Sequence, residues 1–145
     1  MSKIDFSVRL NPHGQTKPVI NYGIDSDAIN TITLDGATSL SFSLDLSNGL
    51  HKFFIEFANK TNETPDMAVE IESVTIEGIA VDRFKWAGRY YPVYPEPWAS
   101  MQTEVLPDVR HSATYLGWNG RWELEFTCPI FQWIHKLENL GWVYA

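Results

Sequence analysis

Short runs in which apolar and polar residues alternate, broken about every ten residues by turn formers, narrow the folds open to this chain more than any other feature. Residues 3–10 set Ile4, Phe6, Val8 and Leu10 against Asp5, Ser7 and Arg9. Side chains of a strand point to opposite faces in turn, so a period of two predicts a strand with one buried face. Residues 39–46 repeat the pattern with Leu40, Phe42, Leu44 and Leu46, and residues 50–58 with His51, Phe53, Ile55 and Phe57. With Ser47-Asn48-Gly49 between them, these two runs are expected to pair as a hairpin. Shorter strands are expected over 18–22 and 31–34, joined by a polar connection over 25–30. In residues 67–77 the apolar set changes parity, from Met67, Val69 and Ile71 to Val74 and Ile76. A slip of one residue exchanges the two faces, so the change predicts a bulge or a corner.

The second half continues the theme. Asn119-Gly120 is a strong turn signal and is expected to join residues 112–118 and 121–127 in a second hairpin, with Trp122, Leu124 and Phe126 on one face. After Pro129 the apolar spacing changes to three and four, through Ile130, Phe131, Trp133, Ile134, Leu137 and Leu140, with Gly141 as a stop. That spacing predicts an amphipathic helix of about three turns. The whole reads as an all-β antiparallel sandwich of jelly-roll type with a short C-terminal α-helix. Residues 1–145 form a single domain, with no repeat or linker dividing them.

Residues 84–99, FKWAGRYYPVYPEPWA, interrupt the pattern. They gather Trp86, Tyr90, Tyr91, Tyr94 and Trp98 around Pro92, Pro95 and Pro97. Proline fixes φ and removes a backbone donor, so this segment is expected to be an extended, polyproline-like loop, neither regular helix nor central strand. Rings on such a loop offer a flat platform to a ligand; core packing or a contact between chains would use the same residues.

Composition removes several classes of function. The formal charge is −7 and no run of Lys or Arg occurs, which argues against binding to nucleic acid through its phosphates. No apolar run approaches the ~18 residues of a membrane span. The N-terminus shows no signal-peptide pattern, so a cytoplasmic or virion-associated location is expected and the Asn59 and Asn62 sequons read as part of a turn. The single Cys128 excludes an intrachain disulfide and reads as a small buried hydrophobe.

Catalysis finds little support. No G-x-S-x-G, H-E-x-x-H or phosphate-binding glycine loop is present, and His13, His51, His111 and His135 are scattered. A carboxylate pair for glycoside hydrolysis could be drawn from Glu96, Glu104, Asp108, Glu123 and Glu125, but nothing selects two of them, and the chain reads as no enzyme. The loop over 60–66 and its flank offer Asn59, Asn62, Glu63 and Asp66, oxygen ligands of the kind calcium prefers, beside the plainer reading of a polar turn. The cofactor is therefore none, or calcium. Glycan recognition uses rings as faces for sugar C–H groups and polar neighbours to fix orientation. Trp86, Arg89, Tyr90, Tyr91, Tyr94, Glu96 and Trp98 supply both.

The run NGLHKFFIEFAN at 48–59, a polar loop, and VEIESVTIEG at 69–78 together resemble a pattern of jelly-roll carbohydrate-binding modules. That pattern reads G-x-H, strand, N, polar loop, V-x-I, strand, G; calcium-dependent xylan-binding modules are the nearest similar group. The resemblance implies a jelly-roll fold, non-catalytic glycan binding and calcium ligands in polar loops, here Asn59, Asn62, Glu63 and Asp66 by position. The D-R-N-L-like segment of that group is missing from 66–71, and residues 84–99 and the terminal helix lie outside the resemblance. The expected function is thus a non-catalytic carbohydrate-binding protein with an aromatic loop platform. The alternative is a structural or assembly protein, of virion or appendage type, whose aromatic loop packs against another subunit, possible as a homo-oligomer.

Overall fold

The computed structural model describes residues 2–61, 63–80, 82–96 and 98–137. In chain order the elements are β1 (Ser2–His13), β2 (Val19–Ile24), β3 (Asp27–Thr33), β4 (Thr38–Leu46), β5 (Gly49–Phe57), β6 (Ala68–Ile76), β7 (Ile79–Ala80), α1 (Asp82–Trp86), β8 (Arg89–Val93), β9 (Arg110–His111), β10 (Tyr115–Leu116), β11 (Asn119–Cys128) and α2 (Ile130–Leu137). All pairings are antiparallel. One sheet runs β10-β6-β1-β4 with β7 also on β6; the other runs β3-β2-β5-β11-β8-β9. None of the described helices is long and apolar enough to cross a membrane.

The alternation seen in the sequence builds the space between the sheets. Ile4, Phe6, Val8 and Leu10 of β1 face Phe53, Ile55 and Phe57 of β5 and Trp122, Leu124 and Phe126 of β11, all buried in one core. Phe6 lies 5.6 Å from Phe126 and 6.3 Å from Phe53, ring centre to ring centre, so the aromatic residues interdigitate across the two layers. Burying a side chain of this size contributes about 1.5–3 kcal/mol. The parity change predicted a bulge, and one is present: Arg9 pairs with Ser73 but Leu10 with Ile71, leaving Glu72 as the extra residue of β6.

Both expected hairpins are corrected. β4 pairs with β1, whereas β5 pairs with β2 and β11, so Ser47 and Asn48 carry the chain from one sheet to the other. Likewise β10 pairs with β6, and Asn119-Gly120 opens β11 instead of turning. Alternation dictates which face of a strand is buried but is silent on its neighbour. Gly120 lies between Phe57 and Pro92 with φ 154°, where an added Cβ would come within 2.3 Å of the Tyr91 carbonyl oxygen. Close approach of backbones explains this glycine.

The expected helix is present as α2, which buries Ile130 and Ile134, four residues apart, and stacks Trp133 5.7 Å from Phe84 of α1. Leu140 and Gly141 lie outside the described residues.

His51 fastens the crossover between the sheets. Its Nδ1 lies 2.9 Å from the Asp25 carboxylate and its Nε2 2.8 Å from the Ser47 carbonyl. Both neighbours accept hydrogen bonds, so only the doubly protonated ring satisfies both. Burial is the largest single influence and lowers the pKa, but the Asp25 and Ser47 hydrogen bonds and the Asp25 charge together outweigh it and raise the pKa above its ordinary value. A folded-state pKa above the unfolded one means stability that is complete below about 6.5 and lost as pH rises through the folded value. Thermal unfolding followed between about pH 6 and pH 8 is expected to show a fall in Tm that is smaller in H51Q; equal slopes would contradict the assignment.

Candidate functional site

β8 corrects the expectation for residues 84–99. The segment is helix up to Trp86 and strand from Arg89 to Val93, and at Ala99 it enters a 3₁₀ turn that runs to Met101. Proline is tolerated in β8 because β9 flanks only Arg89 and Tyr90, so Pro92 stands where the strand has become an edge. The alternation of β8 then sorts the rings. Tyr90 points inward and is fully buried, so it is no part of an exposed platform. Its hydroxyl donates to the Trp118 carbonyl and accepts the Trp118 N–H at 3.0 Å. Burial, more than any other influence, raises the pKa of this phenol.

Beyond β8 the chain folds on itself. The Tyr94 hydroxyl donates to the Pro107 carbonyl at 2.7 Å, Gln102 Nε2 donates to the Trp98 carbonyl at 2.9 Å, and Glu96 accepts the Ser100 N–H at 3.3 Å as well as the Ser100 hydroxyl. These bonds hold Trp98, 40% exposed, 5.9 Å from Trp118 and 6.2 Å from Tyr94; Tyr94 meets Trp118 edge-on at 5.0 Å. In front of this cluster lies a hollow of about 570 Å³ lined by Lys60, Thr61, Pro65, Val93, Pro95, Glu96, Trp98, Trp118 and Asn119.

The opposite wall is the loop after β5, and Asn119 ties it in place. The Asn119 carboxamide accepts the Lys60 N–H and donates to the Lys60 carbonyl, each at 2.9 Å. Lys60 Nζ donates to the Gly117 carbonyl at 2.5 Å. Burial lowers the pKa of this ammonium, and the Asp66 charge opposes the shift. A second hollow, of about 580 Å³, adjoins the first and shares Lys60, Pro65 and Trp118 with it. Trp86 and Tyr115, 46% and 53% exposed, line this second space with Asp66 and Arg110.

Of the residues singled out from the sequence, Glu96 and Trp98 thus line the first hollow, with Tyr94 tilted against Trp98, and Trp86 lines the second. Arg89 and Tyr91 do not join them. Arg89 sits 3.9 Å from Glu125, and Tyr91 borders a shallow depression with Glu56 and Arg121. Sequence reasoning missed Trp118, Lys60 and Asn119. Trp118 reads there as the end of a hairpin strand, and Asn119 as its turn; the only signal was a large ring beside Gly117 and Gly120.

Three of the four loop ligands expected for calcium, Asn59, Glu63 and Asp66, lie among the described residues. The Asn59 carboxamide accepts the Val19 N–H at 2.9 Å and donates to the Lys17 carbonyl at 3.2 Å, so its oxygen is engaged in holding β2. Glu63 and Asp66 are exposed, and Asn62 lies outside the described residues. Among the described residues no group of three or more His, Cys, Asp or Glu side chains is placed to share a metal ion. Calcium takes six to eight oxygens, typically with several carboxylates, and the carboxylates of this loop are those of Glu63 and Asp66.

No protein-family model matches the chain, and no curated protein matches it significantly. Solved structures do. One is described as "vCBM60 in complex with galactobiose", with a TM-score of 0.55 and 14% identity, over 83% of this chain and 96% of the other. A second, a selenomethionine form of vCBM60 described under a circular permutation linking two families of calcium-dependent carbohydrate-binding modules, has a TM-score of 0.55 and 12% identity over 83% and 89%. At these identities the likeness is one of fold: this chain is a β-sandwich built like a carbohydrate-binding module.

Proposed function

We propose that this protein is a non-catalytic carbohydrate-binding protein and that the hollow between Trp98, Trp118 and the Lys60 loop receives the glycan. The observation that carries the reading is the pair of tryptophan rings 5.9 Å apart at a hollow whose rim also holds Glu96, Lys60 and Asn119. Rings supply apolar faces for sugar C–H groups, and a few polar groups fix orientation. The shared fold with a module bound to galactobiose supports it. The Asn59 contacts support a reading in which binding needs no calcium.

Titration calorimetry with galactobiose and xylo-oligosaccharides tests this. Trp98→Ala is expected to weaken binding by roughly tenfold or more, since stacking on an exposed ring contributes on the order of 1–2 kcal/mol, and EDTA is expected to leave the wild-type affinity unchanged. Undiminished binding by the variant would remove Trp98 from the site, and loss of binding in EDTA would restore calcium. Exposed Val93 and Met101 beside Trp98, 65% and 75% accessible, favour a second reading in which this face packs on another subunit. Light scattering separates the two: a stable oligomer that shields Trp98 from quenchers supports assembly, and a monomer opposes it.

A further inference from the structure

Arg110 differs from other arginines of the chain. Arg9, Arg89 and Arg121 each face a carboxylate, Glu72 at 2.7 Å, Glu125 at 3.9 Å and Glu123 at 3.1 Å. Arg110 forms no ion pair with any described carboxylate, in a chain with 18 acidic residues and a net charge of −7. Its guanidinium lies 4.9 Å over the Trp118 ring and its Nε lies 3.4 Å from the Tyr94 hydroxyl, so the side chain is held against the wall common to both hollows. Asp66 lines the second hollow too, but its charge acts on the Lys60 ammonium. Lys60 apart, the remaining lining is uncharged: Trp86, Tyr115, Ala113 and Thr114 are among it.

An anchored guanidinium with its terminal nitrogens free of carboxylate is built for bidentate recognition of a planar anion. A ring-lined hollow beside it suits the rest of a sugar unit. Each hollow falls within the ~300–1,000 Å³ of small-ligand pockets, and they meet at Trp118, so two linked sugar units could occupy both. Resting on the reading above, we infer that the second hollow is a further subsite, in which Arg110 binds the carboxylate of a uronic acid unit of the glycan. The substrate class is then an acidic oligosaccharide, with a neutral unit against Trp98 and Trp118 and the acidic unit between Trp86 and Tyr115.

The test compares galactobiose with the same disaccharide oxidised at C6 of one unit to the uronic acid, by calorimetry on the whole protein. The acid is expected to bind about tenfold tighter than the neutral sugar, as charge-assisted hydrogen bonds allow. That advantage should shrink with added salt and disappear in R110Q; R110K should keep part of it. Because Arg110 stacks on Trp118, Tyr115→Ala serves as a second variant, expected to weaken the acid more than the neutral sugar. Equal affinities in the wild type, or an acid advantage that survives R110Q, would overturn the inference while leaving Trp98-dependent binding intact. Acid binding that needs Arg110 but not Trp98 would support the second subsite and overturn the first reading. Binding of neither sugar would overturn both.

Discussion

Trp122→Ala is expected to destabilise the fold by about 3–5 kcal/mol and to lower Tm by roughly 10 °C, measured by denaturant and thermal unfolding. The indole is fully buried in β11, between Ile55 of β5 and Tyr90 of β8. It meets Phe53 edge-on at 6.2 Å, and Gly88 lies so close that an added Cβ would stand 2.2 Å from the ring. Its N–H donates to the Ala113 carbonyl at 3.0 Å, fastening the segment that leads into β10. Removal would therefore leave a large cavity and an unpaired carbonyl at once. Trp122→Phe, which fills part of the space but lacks the donor, should fall between the two. A loss below about 1 kcal/mol for the alanine variant would mean that the sheets close over the gap.

Tyr90→Phe is expected to cost about 1–3 kcal/mol and to weaken glycan binding, although Tyr90 is buried and lines neither hollow. The deletion removes the partner that both the N–H and the carbonyl of Trp118 have in Tyr90. Trp118 forms the wall shared by both hollows, so its backbone sets the spacing to Trp98. Unfolding curves and glycan titrations on the same sample check the pair of effects. Stability lost with affinity retained would show that the rings hold Trp118 without the hydroxyl.

The sandwich was legible in the sequence because burial face is a local property. Leu40 and Phe53 announce their own orientation, and the shift from Ile71 to Val74 announces the bulge at Glu72. Strand partnership is not local, and so Ser47-Asn48-Gly49 and Asn119-Gly120 were misread as hairpin turns. The same limit governed the site. Trp98 and Glu96 were legible as a ring and a carboxylate on a proline-rich segment, but the hydroxyl of Tyr90 and the carboxamide of Asn119 act across 28 and 59 residues of chain. Composition alone cannot tell a buried tyrosine that braces a wall from an exposed one that forms it. Arg110, with no sequence motif around it, stands out only once the ion pairs of Arg9, Arg89 and Arg121 are known.

The crossing of the chain between layers also bears on the order in which this molecule assembles. Val8 lies beside Val74 and Ile55 beside Trp122, so neither sheet can be completed by zipping up sequence neighbours. Chains dominated by such distant pairings fold on the order of milliseconds to seconds, because loop closure must precede the contacts that reward it. The Lys60 loop, Trp98 and Trp118 come together only when β11 has docked between β5 and β8. Binding at the proposed site would thus require β11 to have docked, and so would report on that step of folding.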